Sequence, residues 1–325
     1  MDKEFYLQSE EIRENIRERI YNRLRKISNK KLKNIILQRN STSSFLKGIM
    51  AYYVHEGLKG KLSSNKKIDL ASGIEIFCSA GAIFDNAMDN HKKRNGKTTY
   101  LKEYGREMQF AASQYVLHDG LKFLFPFMGG FSKSFSNLYR INDAVLGMVK
   151  MDLEQSKDLE DQIRTIELSN GIFNEVPLLI SATNATENAD KINLIKKYGF
   201  NLGTAFGIYE ELRDLLGEHG RRRATEIEKG RAIIPLHYAS KIDKNFNFNI
   251  YLKNPLSEKD YKLLIRRLNS CGAIKSTISL TNSYLDKAYN SLEKAVDQDC
   301  VDKLKPLSSS VKHSLDYLLH KATLI

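Results

Sequence analysis

The segment Ile83-Phe84-Asp85-Asn86-Ala87-Met88-Asp89-Asn90 ends a stretch that is otherwise apolar, since Ile74, Ile76, Phe77, Ala80, Ala82 and Ile83 precede or open it over two helical turns. The spacing predicts one long helix over Ile68 to Asn90. Asp85 and Asp89 are four residues apart, which puts both carboxylates on one helical face with Asn86 beside them. Carboxylates at the end of a buried helix are costly unless they are paired or hold a cation. A second copy of the pattern lies downstream: Phe206-Gly207-Ile208-Tyr209-Glu210-Glu211-Leu212-Arg213-Asp214 again follows an apolar helix. One such cluster reads equally well as a solvated helix face. Two copies favour a shared ligand, because hard oxygen donors from two facing helices suit Mg2+, which takes substrate phosphates as further partners.

Each acid cluster is followed by a basic segment. The first is Lys92-Lys93-Arg94-Asn95-Gly96-Lys97, and the second runs from Arg221-Arg222-Arg223 to Glu226, Gly230, Arg231 and Pro235. Singly, each is a solvated turn. Together with metal they form an electrostatic clamp for a diphosphate.

The rest of the chain reads as helix. Its 325 residues are 42% hydrophobic and 28% charged, with five prolines, a composition that favours helices around a sizeable core. Ser9 to Lys33, Leu101 to Phe125, Ile141 to Asp158, Leu159 to Ala182 with a kink near Pro177, and Thr186 to Leu216 have helical period. So do Ala232 to Ala239, Ser257 to Arg267, Tyr284 to Ala295 and Leu307 to His320, whereas Pro126, Gly129 and Gly130 mark a break and Phe246 to Leu252 reads as a short strand. One all-α domain over 1–325 is expected.

The net charge of +12 comes from lysines spread over the whole chain, which fits a solvated surface. It contains neither a basic stripe nor a nucleic-acid-binding module. Cys78, Cys271 and Cys300 are few, odd in number and widely spaced, against a disulfide framework or a zinc site. None of the seven histidines has metal-ligand spacing. The charged start and the absence of a run of about 18 apolar residues exclude a signal peptide and a membrane-spanning helix, leaving peripheral membrane contact open. A cytoplasmic location is expected.

The ordered set of motifs resembles the trans-isoprenyl diphosphate synthases, over roughly Phe45 to Leu292. Glu75, Asp85, Asn86, Asp89, Arg94, Gly96 and Lys97 fall into the register of the family's first aspartate-rich motif and its Arg-Arg-Gly, and Glu210, Glu211 and Asp214 into that of the second. Phe206 matches the Phe of a Phe-Gln pair, and Glu226, Gly230 and Pro235 match the stretch that follows. The resemblance implies an all-α isoprenoid synthase fold around a central cavity, three Mg2+ ions with bound diphosphate, a prenyl diphosphate substrate and a homodimer. It assigns metal binding to Asp85, Asn86, Asp89, Glu210, Glu211 and Asp214. Catalysis falls to Asp85, Asp89, Arg94, Glu210 and Asp214, and substrate binding to Arg94, Lys97, Gly81, Ala80, Phe206 and Arg223.

The departures from the family pattern concern the second substrate. The early Gly-Lys-Arg of the family aligns with Ser43-Ser44-Phe45-Leu46-Lys47-Gly48, the second Arg of Arg-Arg-Gly is Asn95, the mid-chain Lys-Thr aligns with Ser169-Asn170, and the Gln after Phe206 is Gly207. The metal side is largely kept and the isopentenyl diphosphate side is stripped of charge. The leading expectation is therefore Mg2+-dependent ionisation of one prenyl diphosphate and cyclisation to a terpene. Aromatic faces (Phe77, Phe84, Phe110, Tyr115, Phe173, Phe206 and Tyr209 are candidates) would stabilise the cation by ~0.5–2 kcal/mol each, although aromatics at helical spacing more often serve the core. The alternatives are chain elongation with isopentenyl diphosphate, with Lys47, Lys97 or Arg223 replacing the lost cations, and a non-catalytic partner subunit. Small residues at Gly81 and Ala80, four and five places before Asp85, imply a deep pocket and a C20 or longer chain, unless a neighbouring helix fills it.

Overall fold

The computed structural model describes residues 3–88, 93–94, 97–98, 101–128, 131–217 and 222–325. Its first helices are α1 (Lys3–Gln8), α2 (Glu10–Leu24), α3 (Lys30–Ser41), α4 (Leu46–Gly57) and the 25-residue α5 (Ser64–Met88). The single helix expected over Ser9 to Lys33 is thus two. Asn29 separates them: its side chain accepts from the Leu32 amide at 3.0 Å and starts α3 as an N-cap.

Beyond α5, Lys93–Arg94 and Lys97–Thr98 form a two-residue antiparallel pair, with Arg94 opposite Lys97. Then come α6 (Leu101–Leu124), α7 (Phe131–Leu153), α8 (Leu159–Ile166), α9 (Ile172–Ala185) and α10 (Ala189–Leu216). The chain closes with α11 (Thr225–Glu228), α12 (Ile234–Ile242), α13 (Glu258–Ser270), α14 (Ala273–Ala295) and α15 (Gln298–Thr323). Asp158, Asn188, Ser257 and Asp297 each cap the helix that follows them by accepting a backbone N–H three residues on.

Two expectations are corrected. Phe246 to Leu252 is no strand: Asn247 accepts the Asn249 amide at 3.0 Å and turns the chain into a 3-10 segment at Phe248–Tyr251, while Phe246 stacks on Tyr251. The irregularity in the predicted Leu159 to Ala182 helix lies at Glu167–Gly171, a π-turn joining α8 to α9. Pro177 stays buried inside α9, where its missing N–H leaves the Phe173 carbonyl without its usual helical donor.

α5 packs mainly on α6, and α10 on α14 and α9, while α4 bridges α5 and α9. Buried apolar side chains from Phe5 of α1 to Ala322 of α15 belong to one contiguous core. The acid-bearing ends of α5 and α10 reach the edge of it, with Asp85 half-buried and Glu210 exposed. Cys78, Cys271 and Cys300 are free thiols. Among the described residues no helix is long and apolar enough to cross a membrane.

Candidate active site

The first acid cluster sits where the sequence places it, at the end of α5. Asp85 is half-buried and Asn86 is buried. Asp89 lies outside the described residues. The last carbonyls of α5 are held by a residue that sequence reading missed: Arg106 of α6 donates from Nε to the Ala87 carbonyl at 2.9 Å and from Nη2 to the Met88 carbonyl at 3.1 Å. A cation there satisfies orphan carbonyls and meets the negative end of the helix dipole. A lone Arg in a helical stretch carries no signal for this role. Arg94 and Lys97 are register partners in the short strand pair that follows.

The second cluster is divided. Glu210 is half exposed and pairs with Arg213, whose guanidinium lies 5.2 Å over the Tyr209 ring. Glu211 turns inward: one carboxylate oxygen accepts from the Gln162 amide of α8, and the other accepts the Ile234 N–H at the start of α12, at 2.7 Å. Burial pushes its carboxyl up to about 8 against those two donors. Asp214 accepts from the Thr225 hydroxyl and, at 3.0 Å, from the Glu226 amide, fastening α11 to α10. So of the three acids assigned to metal, Glu211 and Asp214 have oxygens engaged by protein donors, and Glu210 is the solvent-accessible one. Among the described residues no three His, Cys, Asp or Glu side chains converge as a ready-made metal cage. Asp85, Asn86 and Glu210 nevertheless supply the oxygen-only donors that Mg2+ takes.

Arg223, expected at the substrate, reaches elsewhere. It bonds Glu258 at 2.6 Å and lies 4.2 Å over the Tyr261 ring, both of α13. Phe206 is half-buried against the core.

The residues aligned with the missing acceptor cations are structural. Phe45 is fully buried and enters α4 through a left-handed backbone (φ 54°), with the Arg17 guanidinium 5.6 Å over its ring. Leu46 packs on the core. The Gly48 amide donates to the buried Glu75 carboxylate at 2.6 Å, and a Cβ at Gly48 would lie 2.7 Å from the Ala71 carbonyl oxygen. Burial raises the Glu75 carboxyl, while the Gly48 bond and the charges of Lys47 and Arg39 oppose the rise. Burial likewise pushes the neighbouring Cys78 thiol up to about 12.

The mid-chain departures fit one another. Asn170 lies in the π-turn beneath α10, and a Cβ at Gly207 would stand 2.9 Å from its side-chain amide. The carboxamide lost at position 207 is thus matched by one at 170. The turn is held by the Tyr284 hydroxyl of α14, which donates to Glu167 at 2.9 Å.

The pocket floor differs from expectation. The notch left by Gly81 is filled by Phe173 of α9, whose Cζ would lie 2.7 Å from a Cβ there. Ala80 is buried and its carbonyl accepts from Ser113 of α6 at 2.9 Å. Small residues on α5 therefore do not by themselves open a deep cavity.

Comparison with known proteins gives the family and the fold. Residues 31–268 match the family model described as polyprenyl synthetase. A short chain isoprenyl diphosphate synthase of Methanocaldococcus jannaschii is 24% identical over 54% of this chain and 56% of its own length. A geranylfarnesyl diphosphate synthase of Aeropyrum pernix is 22% identical over 81% of this chain and 86% of its own. Among solved structures, a polyprenyl synthase from Caulobacter crescentus, complexed with calcium and isoprenyl diphosphate, superposes with a TM-score of 0.81 at 18% identity, covering 95% of this chain and 96% of that one.

Proposed function

This chain is a member of the polyprenyl synthetase family, and we propose that it is a prenyltransferase that lengthens an allylic prenyl diphosphate with isopentenyl diphosphate. The family match over residues 31–268, which spans both acid clusters, carries this reading. Relatives named as diphosphate synthases favour elongation over the cyclisation that the lost acceptor cations put first.

Asp85 and Asn86 on α5 and Glu210 on α10 would hold Mg2+, with Asp89 joining them by motif register and Arg94 meeting the diphosphate. Bound there, the metal supplies charge neutralisation of the departing diphosphate. Glu211 and Asp214 act by position: through Gln162, Ile234 and Thr225 they tie α8, α11 and α12 to the end of α10. The second diphosphate needs positive charge that the early motif lacks. Lys47 of α4, beside the buried Glu75, would supply part of it.

A second copy of this chain is the proposed partner. Tyr139, Leu146 and Leu153 recur every seventh residue on α7 and are 64%, 61% and 69% exposed, a stripe that one helix leaves for another. Light scattering behind size exclusion tests it: a dimer is expected, and Leu146→Glu should shift it to monomer. For the chemistry, Asp85→Ala should lower Mg2+-dependent turnover about 100-fold or more. Undiminished turnover in that variant would remove Asp85 from the mechanism.

A further inference from the structure

Three helices meet at one aromatic ring. Gly81 lies one turn before Asp85 on α5, hence beneath that carboxylate on the same helical face. It is half-buried, whereas Ile76, Phe77, Cys78, Ser79 and Ala80 before it are buried. Phe173, in the first turn of α9, points its ring edge into the place a side chain at 81 would take: Cζ and Cε2 would stand 2.7 Å and 2.9 Å from a Cβ there. From α4, the Lys47 ammonium sits 4.7 Å from the ring centroid, over its face. A cation on one face and a glycine notch at the edge define the ring's position from two sides.

We propose that Phe173 is a specificity-determining residue that limits how long a prenyl chain this protein accepts and makes, with Lys47 as the positioning residue that keeps the ring in place. The proposal rests on the prenyl diphosphate reading above. A chain whose diphosphate is held at Asp85 and whose tail runs along α5 toward its N-terminal end meets the Phe173 ring within one helical turn. The contact involves the far end of a side chain and no backbone, so the ring can yield. Its removal would therefore deepen the pocket without dismantling α5 or α9. Neither α5 nor α9 alone shows this: Gly81 by itself reads as an open floor, and Phe173 by itself as one more core aromatic.

The test uses the full-length wild type, Phe173→Leu, Phe173→Ala and Lys47→Met. Each receives Mg2+ with geranyl, farnesyl or geranylgeranyl diphosphate and labelled isopentenyl diphosphate, and product length is read by mass spectrometry. In parallel, affinity for the same three diphosphates is measured without isopentenyl diphosphate. Phe173→Ala is expected to lengthen the product by at least one five-carbon unit and to raise the affinity for geranylgeranyl relative to geranyl diphosphate at least about tenfold, the gain from about two more buried methylene-sized groups. Lys47→Met, read by the affinity ratio measured without isopentenyl diphosphate, should shift that ratio in the same direction while leaving the ring. Phe173→Leu, which keeps most of the packing volume, carries the comparison if the alanine variant does not fold. Identical product length and affinity ratio in wild type and variants would overturn the proposal. A wild type that elongates nothing, while Phe173→Ala still shifts the affinity ratio, would contradict the elongation reading and support the gate.

Discussion

The backbone N–H of Gly48 donates to the carboxylate of Glu75 at 2.6 Å, and that carboxylate is 4% exposed. The bond joins the start of α4 to the middle of α5, ten residues before Asp85. It converts the wall that carries a cationic motif in the family into a packed helix contact. Glu75→Ala leaves the Gly48 amide without its acceptor and opens a void, and should destabilise the protein by about 2–4 kcal/mol in urea unfolding. Glu75→Gln retains an acceptor with no charge to desolvate and should stay within about 1 kcal/mol of wild type.

His55 gives the fold a pH dependence. Its ring is fully buried under Gly60, and neither nitrogen has a hydrogen-bond partner. Burial, aided by the nearby Lys67 charge and opposed by Glu56, brings it from 6.5 down to about 4. Between these values the unfolded chain binds a proton that the folded chain refuses. This stability is present above pH 6.5 and is lost as pH falls toward 4, by on the order of 3 kcal/mol. Thermal unfolding across pH 4 to 8 should show that slope, and His55→Leu should flatten it.

Gly207 and Asn170 should be energetically coupled. A Cβ at 207 would stand 2.5 Å from Ile166 Cγ2 and 2.9 Å from the Asn170 side-chain amide. Gly207→Ala should cost about 1–3 kcal/mol by overpacking. Adding Asn170→Ala should return part of it, with a coupling of roughly 0.5–3 kcal/mol in a double-mutant cycle. Additive effects would separate the two departures from the family pattern.

The helices around the site were legible because their apolar faces repeat at 3.6 residues over long stretches. Asp85 and Glu210 stood out as candidates because acids after an apolar helix contradict the pattern around them. Local turn chemistry misled at Phe246 to Leu252, where alternating residues looked like a strand until Asn247 bent the chain. Tertiary partners were out of reach. Glu211 looked like a ligand, yet its environment is made by Gln162, 49 residues away, and by the Ile234 amide. Arg223 looked like a phosphate contact, yet Glu258 and Tyr261 lie closer to its reach. Gly81 and Ala80 predicted a deep pocket because nothing in their own helix could announce Phe173.

The account stands most directly on whether isopentenyl diphosphate is consumed. Purified protein with Mg2+ would receive farnesyl or geranylgeranyl diphosphate, each with and without labelled isopentenyl diphosphate, and all products would be identified by mass spectrometry. A longer prenyl diphosphate carrying the label, formed only when isopentenyl diphosphate is present, is the predicted result. A hydrocarbon or alcohol formed without it would contradict elongation and restore cyclisation, and no diphosphate release from any substrate would contradict both.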